Sequence, residues 1–220
     1  MGQKTHLALL FIALLATIAV AAEDSSSSSS SEESKETRAI RQLLSFTMEH
    51  ISRITEYIAA EGKNIFEKVV QELSPLKEGN EELRIKLLNF TEFIEDAGKL
   101  KPRKEGQPFQ LESLMLSATF SEIMDAYNTT DTAVKPTIET ALIWATITKN
   151  GLDALENGVE TRFADYLSEF DKKFKEFDSS LTPTERQEYG KIFVWYNSVK
   201  NASTIDDKLN KFVDYLNQKF

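Results

Sequence analysis

The chain has 220 residues, of which 26 are lysine or arginine and 35 are aspartate or glutamate, for a net charge of −9. It contains no cysteine, which excludes a disulfide scaffold, a zinc–cysteine module and a thiol enzyme. The acidic balance argues against a general nucleic-acid-binding surface, which would be basic.

The N-terminus has the layout of a secretory signal peptide. Lys4 precedes an uncharged apolar run over residues 7–20, and small residues follow as far as Ala22. A helix that spans a bilayer takes about 20 residues, so this run is too short to do so. We expect cleavage after Ala22, or alternatively after Ala21, which removes residues 1–22. The mature chain would then be secreted to the extracellular space without a transmembrane segment; a retained N-terminal anchor is the alternative.

Residues 23–36 read EDSSSSSSSEESKE and include no aliphatic or aromatic side chain. Because nothing there can be buried to offset the entropy of ordering, the segment is predicted to be disordered. Ser30, Ser31 and Ser34 each have a glutamate two residues later, which resembles the Ser-x-Glu acceptor sites phosphorylated in secreted proteins such as caseins. Phosphates at these three serines would bring oxygen ligands suited to Ca²⁺. A flexible spacer, O-glycosylated or not, is the alternative.

From Thr37 onward, apolar residues recur every three or four positions, which is the spacing of one face of an α-helix. The first stripe continues past Gly62. Glycine inside a helix costs only about 1 kcal/mol relative to alanine, so we predict one long helix that Pro75 ends, with two helices meeting at Gly62 as the alternative. A second helix is predicted over residues 80–97, with Gly98 as its stop.

Residues 99–108 combine two prolines, a glycine and four basic side chains, and this composition predicts a loop. The basic side chains are Lys99, Lys101, Arg103 and Lys104. We interpret them as a solvated surface. Docking of an acidic partner, such as the protein's own tail, and a processing site at Arg103-Lys104 are the alternatives.

Two longer apolar stripes follow this loop. A third helix is predicted over residues 111–127, with Leu111, Leu114, Met115, Ala118 and Ile123 marking its apolar face. Past Pro136 one register continues for about 40 residues, through Ile138, Leu142, Ala145, Leu152, Leu155, Val159, Phe163, Tyr166, Phe170, Phe174 and Phe177. Asn150-Gly151 and Asn157-Gly158 interrupt it. Each glycine could end a shorter helix, or could let a neighbouring helix approach closely.

The C-terminal part predicts two more helices. Thr182 and Glu185 flank Pro183 in the pattern of a capping box, which starts the first of them. The last helix opens near Ser203 or Thr204. No segment shows the two-residue alternation of a strand. Residues 37–220 are therefore predicted to form an all-α bundle or elongated array of six to eight amphipathic helices, several of them long.

The sequence offers little for catalysis. His50 is the only histidine outside the signal peptide, and we place it at the surface or the boundary of the first helix. The HExxH, GxSxG, GxGxxG and P-loop patterns are absent. We therefore predict that the chain is not an enzyme and that it uses neither a cofactor nor a metal in the folded domain. A hydrolase built on paired carboxylates is the distant alternative.

Three Asn-x-Ser/Thr sequons occur, at Asn89, Asn128 and Asn201. Asn128 and Asn201 fall in predicted turns, where a glycan fits a secreted protein. Asn89 lies in the middle of a predicted helix and is the weaker of the three candidates.

The best candidates for ligand contact form an aromatic row at helical spacing. They are Phe163, Tyr166, Phe170, Phe174 and Phe177. Helices lined in this way can enclose an apolar molecule, although such rows also build ordinary cores. We predict a secreted non-enzymatic binding protein that carries an apolar small molecule or lipid between its helices. The alternative is an extracellular structural or interaction protein that binds a protein partner and has a phosphorylatable, calcium-binding tail. Nucleic acid is not an expected partner.

Overall fold

The computed structural model describes residues 35–101, 103, 110–130 and 135–217. The predicted signal peptide and the serines Ser30, Ser31 and Ser34 lie outside these residues. The described part contains eight α-helices and no strand, which confirms the all-α prediction. The helices are α1 (Lys35–Leu73), α2 (Glu81–Lys99), α3 (Leu111–Tyr127), α4 (Ile138–Lys149), α5 (Leu152–Ser180), α6 (Pro183–Glu188), α7 (Gly190–Lys200) and α8 (Ile205–Asn217), with a 3₁₀ turn at Ser74–Leu76.

The described chain divides into two compact units. Unit 1 is Ile51–Thr161, and unit 2 comprises residues 35–50 and 162–217. The division falls within α1 and within α5, so each of these long helices contributes to both units.

The first two helices follow the sequence prediction closely. Helix α1 is continuous through Gly62 and ends at Leu73, and Pro75 lies in the 3₁₀ turn that follows it. Helix α2 begins after Asn80, whose side chain accepts a hydrogen bond from the Leu83 amide and so caps the helix. It ends at Lys99, one residue beyond the predicted stop at Gly98.

The core of unit 1 is organised around Phe66 of α1, which is fully buried. Its ring lies 4.7 Å from Phe90 and 5.0 Å from Phe93 in edge-on contacts, and 5.1 Å from Phe120 in a stacked one. Aromatic pairs at such separations add about 0.5–1.5 kcal/mol each beyond their burial. Phe66 and Phe90 belong to the predicted apolar stripes of these helices, whereas Phe93 is buried in place of the predicted Ile94, which is half-buried.

Helix α3 has the predicted bounds, and its predicted face is correct only in part, since Leu114 and Ile123 are buried as expected. Leu111 and Met115, expected inside, are 58% and 62% exposed. The buried face instead carries three serines four residues apart, Ser113, Ser117 and Ser121. Each serine hydroxyl donates to a carbonyl three or four residues earlier, so that burial leaves it paired. The prediction was wrong for Leu111 and Met115, because a serine whose hydroxyl is hydrogen-bonded is small enough to occupy the buried face.

The single register predicted past Pro136 breaks at Gly151, whose φ of 121° is disfavoured for other residues. Helix α4 ends at Lys149 and α5 begins at Leu152. The positions extrapolated across this break are wrong, since Ile138 and Ala145 are exposed and Leu142 is only half-buried. The buried residues of α4 are Ile143, Thr146 and Ile147.

Gly158 does not end a helix; it lies within α5, where Tyr57 of α1 packs against it. A Cβ atom placed on Gly158 would collide with the hydroxyl end of Tyr57. The two Asn-Gly pairs thus have different roles: one separates two helices, and the other admits a neighbouring side chain.

A second glycine in a close approach gives a stability prediction. A Cβ atom at Gly62 would lie 2.6 Å from Cδ2 of Phe120, which the surrounding rings hold in place. Overpacking a core costs about 1–3 kcal/mol, and alanine returns about 1 kcal/mol of helix propensity. We expect Gly62→Ala to lower the free energy of unfolding by up to about 2 kcal/mol, measured by urea unfolding with circular dichroism.

Gly158→Ala is the matched control for Gly62→Ala. Tyr57 is half-buried and can swing its hydroxyl end aside, so we expect the stability to stay within about 1 kcal/mol of the original chain. If both variants lost the same free energy of unfolding, the assignment of Gly62 to a rigid contact with Phe120 would be contradicted.

Unit 2 is built from the N-terminal part of α1 (residues 35–50), the C-terminal part of α5 (residues 162–180) and helices α6, α7 and α8. The predicted capping box is confirmed: the Glu185 amide donates to the Thr182 hydroxyl oxygen, and the Thr182 amide donates to the Glu185 carboxylate. Helices α7 and α8 pack against each other, and the indole N–H of Trp195 donates to the Lys211 carbonyl oxygen at 3.0 Å. The last helix is also capped, because the Asp207 amide donates to Thr204 Oγ1.

Candidate functional site

All five members of the predicted aromatic row are buried within unit 2. Their rings contact one another along α5, with Phe163 to Tyr166, Tyr166 to Phe170 and Phe170 to Phe174 at 5.5–6.0 Å. Phe174 and Phe177 continue the row at 5.6 Å. The row is therefore a packed element of the unit. A ligand could contact only those rings that reach a surface.

Phe170 reaches such a surface. It lines a half-open cleft of about 510 Å³ between α5, α7 and α8 of unit 2, which we call the lysine cleft. The apolar part of its lining is Ala164, Leu167, Phe170, Tyr196, Val199 and Ile205. The polar part is Ser168, Asp171, Lys172, Lys175, Lys200 and Lys208. Four lysines and one aspartate thus surround an apolar floor in a chain whose net charge is −9.

Asp171 is the only carboxylate of this lining, and three donors surround it. Lys175 Nζ lies 2.6 Å from one carboxylate oxygen, and Lys200 Nζ lies 3.2 Å from the other. The hydroxyl of Tyr196 donates to the same carboxylate. The hydrogen bonds from Lys175 and Tyr196 hold the pKa of the Asp171 carboxyl well below its usual range. Asp171 is therefore ionised at neutral pH, and its charge is locally compensated.

Tyr196 connects this polar group to the core. Its ring stacks on Phe174 with a centroid distance of 3.8 Å and an angle of 11°, and the Lys200 ammonium lies 5.5 Å from the ring centroid. Partial burial and the hydrogen bond to Asp171 raise the pKa of the Tyr196 hydroxyl to about 12. The phenol thus remains a neutral donor at physiological pH, and the wall of the cleft is fixed by its own hydrogen bonds.

The other two lysines of the cleft differ from Lys175 and Lys200, which pair with Asp171. Lys172 on α5 is exposed and Lys208 on α8 is half-buried. Neither makes an ion pair with an acidic side chain in the described part of the chain. Both lysines line the cleft together with its apolar residues.

A second cleft of about 410 Å³ also lies in unit 2, between the start of α1 and the end of α5. Phe46 and Phe177 line it, together with Glu49, Lys173 and Glu176. Its one lysine is already paired, since Lys173 Nζ lies 2.9 Å from Glu176. Phe177 is the second member of the aromatic row to reach a cleft, whereas Phe163, Tyr166 and Phe174 line neither of the two.

The prediction that residues 99–108 form a solvated basic surface is wrong for Arg103. Its side chain is 5% exposed, and its Nε donates to Glu56 Oε1 at 3.0 Å in unit 1. Glu56 also accepts a hydrogen bond from Ser52, and Thr55 bonds to Ser113 nearby. Lys99 and Lys101 are exposed, so Arg103 differs from them, and Lys104 lies outside the described residues.

His50 lies at a boundary, as predicted. Its side chain is largely covered, and Nε2 lies 3.3 Å from a carboxylate oxygen of Glu169. The imidazole ring packs on Phe46 and Tyr166 at 4.4 and 5.6 Å. His50 therefore takes part in the packing of unit 2.

The three sequons lie at accessible positions. Asn201 is exposed at the C-terminus of α7, and Asn128 is half-buried at the C-terminus of α3, where its Oδ1 accepts from the Thr130 amide and hydroxyl. Asn89 is exposed on α2. Glycosylation at these residues stays a prediction.

The described residues include neither a membrane-spanning helix nor a group of metal-binding side chains. None of the described helices combines the length and the apolar character needed to cross a membrane. Within the same residues, no three or more His, Cys, Asp or Glu side chains are grouped so that they could hold a metal ion. Comparisons with protein-family models, with curated proteins and with solved structures found no match for this chain.

Proposed function

We propose that this chain is a secreted, non-enzymatic binding protein that carries an apolar small molecule or lipid, and that the lysine cleft is the binding site. The observation that carries the proposal is the cleft itself, an apolar floor held between three helices and bordered by polar side chains. Its volume of about 510 Å³ falls within the range of about 300–1,000 Å³ typical of small-molecule sites.

The rigidity of the surroundings supports this site over other surfaces of unit 2. Phe170 forms part of the floor and packs behind it on Trp195 and Phe212, at 5.7 and 6.0 Å. Asp171 and Tyr196 fix one wall. A ligand would enter a cleft that is already formed, which avoids the entropy of ordering a mobile site.

The test uses N-phenyl-1-naphthylamine, an uncharged probe whose fluorescence rises in apolar surroundings. We expect the full chain to bind it saturably. Ala164→Phe places a ring in the cleft from α5 and should weaken binding by at least about tenfold, which corresponds to about 1.4 kcal/mol.

Ala141→Phe is the matched control, because Ala141 is an exposed helical alanine of α4 in unit 1. It should leave binding unchanged, and circular dichroism should show that both variants keep their helices. Absence of saturable binding by the original chain, or equal binding by the Ala164→Phe variant, would contradict the proposal.

A further inference from the structure

We infer that the lysine cleft selects single-chain amphiphiles with an anionic head group, of the fatty-acid class. This inference rests on the proposed function and adds the chemistry of the ligand. The apolar floor would hold the hydrocarbon chain, and Lys172 and Lys208 would bind the head group.

The charge of the lining is the first argument. The cleft presents four ammonium groups and one carboxylate, although the chain as a whole is acidic. An uncharged ligand would gain nothing from this arrangement, and a cationic one would be repelled by it. An anion is the complementary ligand.

The pairing of the lysines is the second argument. Lys175 and Lys200 are bound to Asp171, which neutralises the one charge that would repel an anion. Lys172 and Lys208 make no ion pair within the described part of the chain. Because Lys208 lines the cleft together with apolar residues, an anionic head group bound there would gain a charge-assisted hydrogen bond while its chain covers the floor.

The combination of features is the third argument. A purely apolar ligand would leave the ammonium groups without partners, and a small inorganic anion would leave the floor formed by Leu167, Val199 and Ile205 in water. A molecule with a hydrocarbon chain and one anionic head satisfies both parts of the cleft.

The experiment compares three probes with the same twelve-carbon chain below their micellar concentrations, namely dodecanoate, dodecanol and dodecyltrimethylammonium. Each displaces N-phenyl-1-naphthylamine from the full chain. We expect dodecanoate to bind about tenfold more tightly than dodecanol, because it gains charge-assisted hydrogen bonds to two lysines, and the cationic probe to bind most weakly.

The double variant Lys172→Gln/Lys208→Gln should remove the preference, bringing the ratio of dodecanoate to dodecanol affinity close to one. The control Lys173→Gln/Lys211→Gln changes the net charge equally on the same two helices, at exposed lysines outside the lysine cleft, and should keep the preference. Equal binding of dodecanoate and dodecanol, or a preference that survives in the Lys172/Lys208 variant, would overturn the inference while the proposed function stands. Failure of all three probes to bind would overturn both.

Discussion

Replacing Arg103 by methionine is expected to lower the free energy of unfolding by about 3–5 kcal/mol, because removing one partner of a buried ion pair leaves the other charge uncompensated. The Arg103 side chain is 5% exposed and that of Glu56 is 24% exposed. Methionine keeps much of the volume of the arginine stem, so the loss would report on the charge rather than on a cavity. Urea unfolding followed by circular dichroism measures it.

A second variant separates the ion pair from general damage to the loop. In Arg103→Met/Glu56→Gln the carboxylate is replaced by a neutral group that still accepts the hydrogen bond from Ser52, and a large part of the lost stability should return. Lys101→Met, an exposed position in the same segment, should change the stability by no more than about 0.5 kcal/mol. A loss in Arg103→Met no larger than in Lys101→Met would show that the pair contributes nothing.

Arg103 also shows what a local pattern leaves out. Its neighbours in the sequence are basic and include prolines, so the composition of residues 99–108 predicts a solvated loop. The partner that brings Arg103 inside is Glu56, which belongs to a helix nearly fifty positions earlier. Local composition carries no information on such a partner, and a long charged side chain therefore looks exposed until the fold is known.

The helices, in contrast, were largely predictable. Helical periodicity gives α1, α2 and α5 because most of their buried positions are apolar, and the capping box at Thr182 marks a helix start through its own residue types. The prediction failed where one of these signals was missing. Ser117 is small and satisfies its own hydroxyl, so it lies inside α3 without appearing hydrophobic. Gly151 shifts the register by a break that its residue type permits but does not require.

The lysine cleft could not be predicted either, because its residues are distant from one another in the sequence. The sequence draws attention to basic residues that lie close together in the chain, such as those at 99–104, whereas the cleft collects two lysines from α5 and one each from α7 and α8. Lys172 and Lys208 are unremarkable surface positions of amphipathic helices until tertiary packing places them on one cleft. The aromatic row lies on one of the helices that form the cleft, and Phe170 belongs to both the row and the cleft floor.

Replacing Phe212 by alanine is the second substitution with a large expected effect, a loss of about 3–5 kcal/mol in the free energy of unfolding, as for other buried aromatic residues. Phe212 is 2% exposed. Its ring lies 5.5 Å from Tyr166, 6.0 Å from Phe170 and 5.2 Å from Trp195. Through these contacts α8 holds the aromatic row and the floor of the cleft in place.

The measurement uses Trp195 as a local reporter of unit 2. The chain has two tryptophans, so the variant is made in a Trp144→Phe background, where the fluorescence of Trp195 alone follows urea unfolding. Phe212→Leu, which retains most of the volume, should lose no more than about 1.5 kcal/mol. If Phe212→Ala left the Trp195 transition unchanged, the row would not be the packed support of the cleft, and the argument for a preformed site would fail with it.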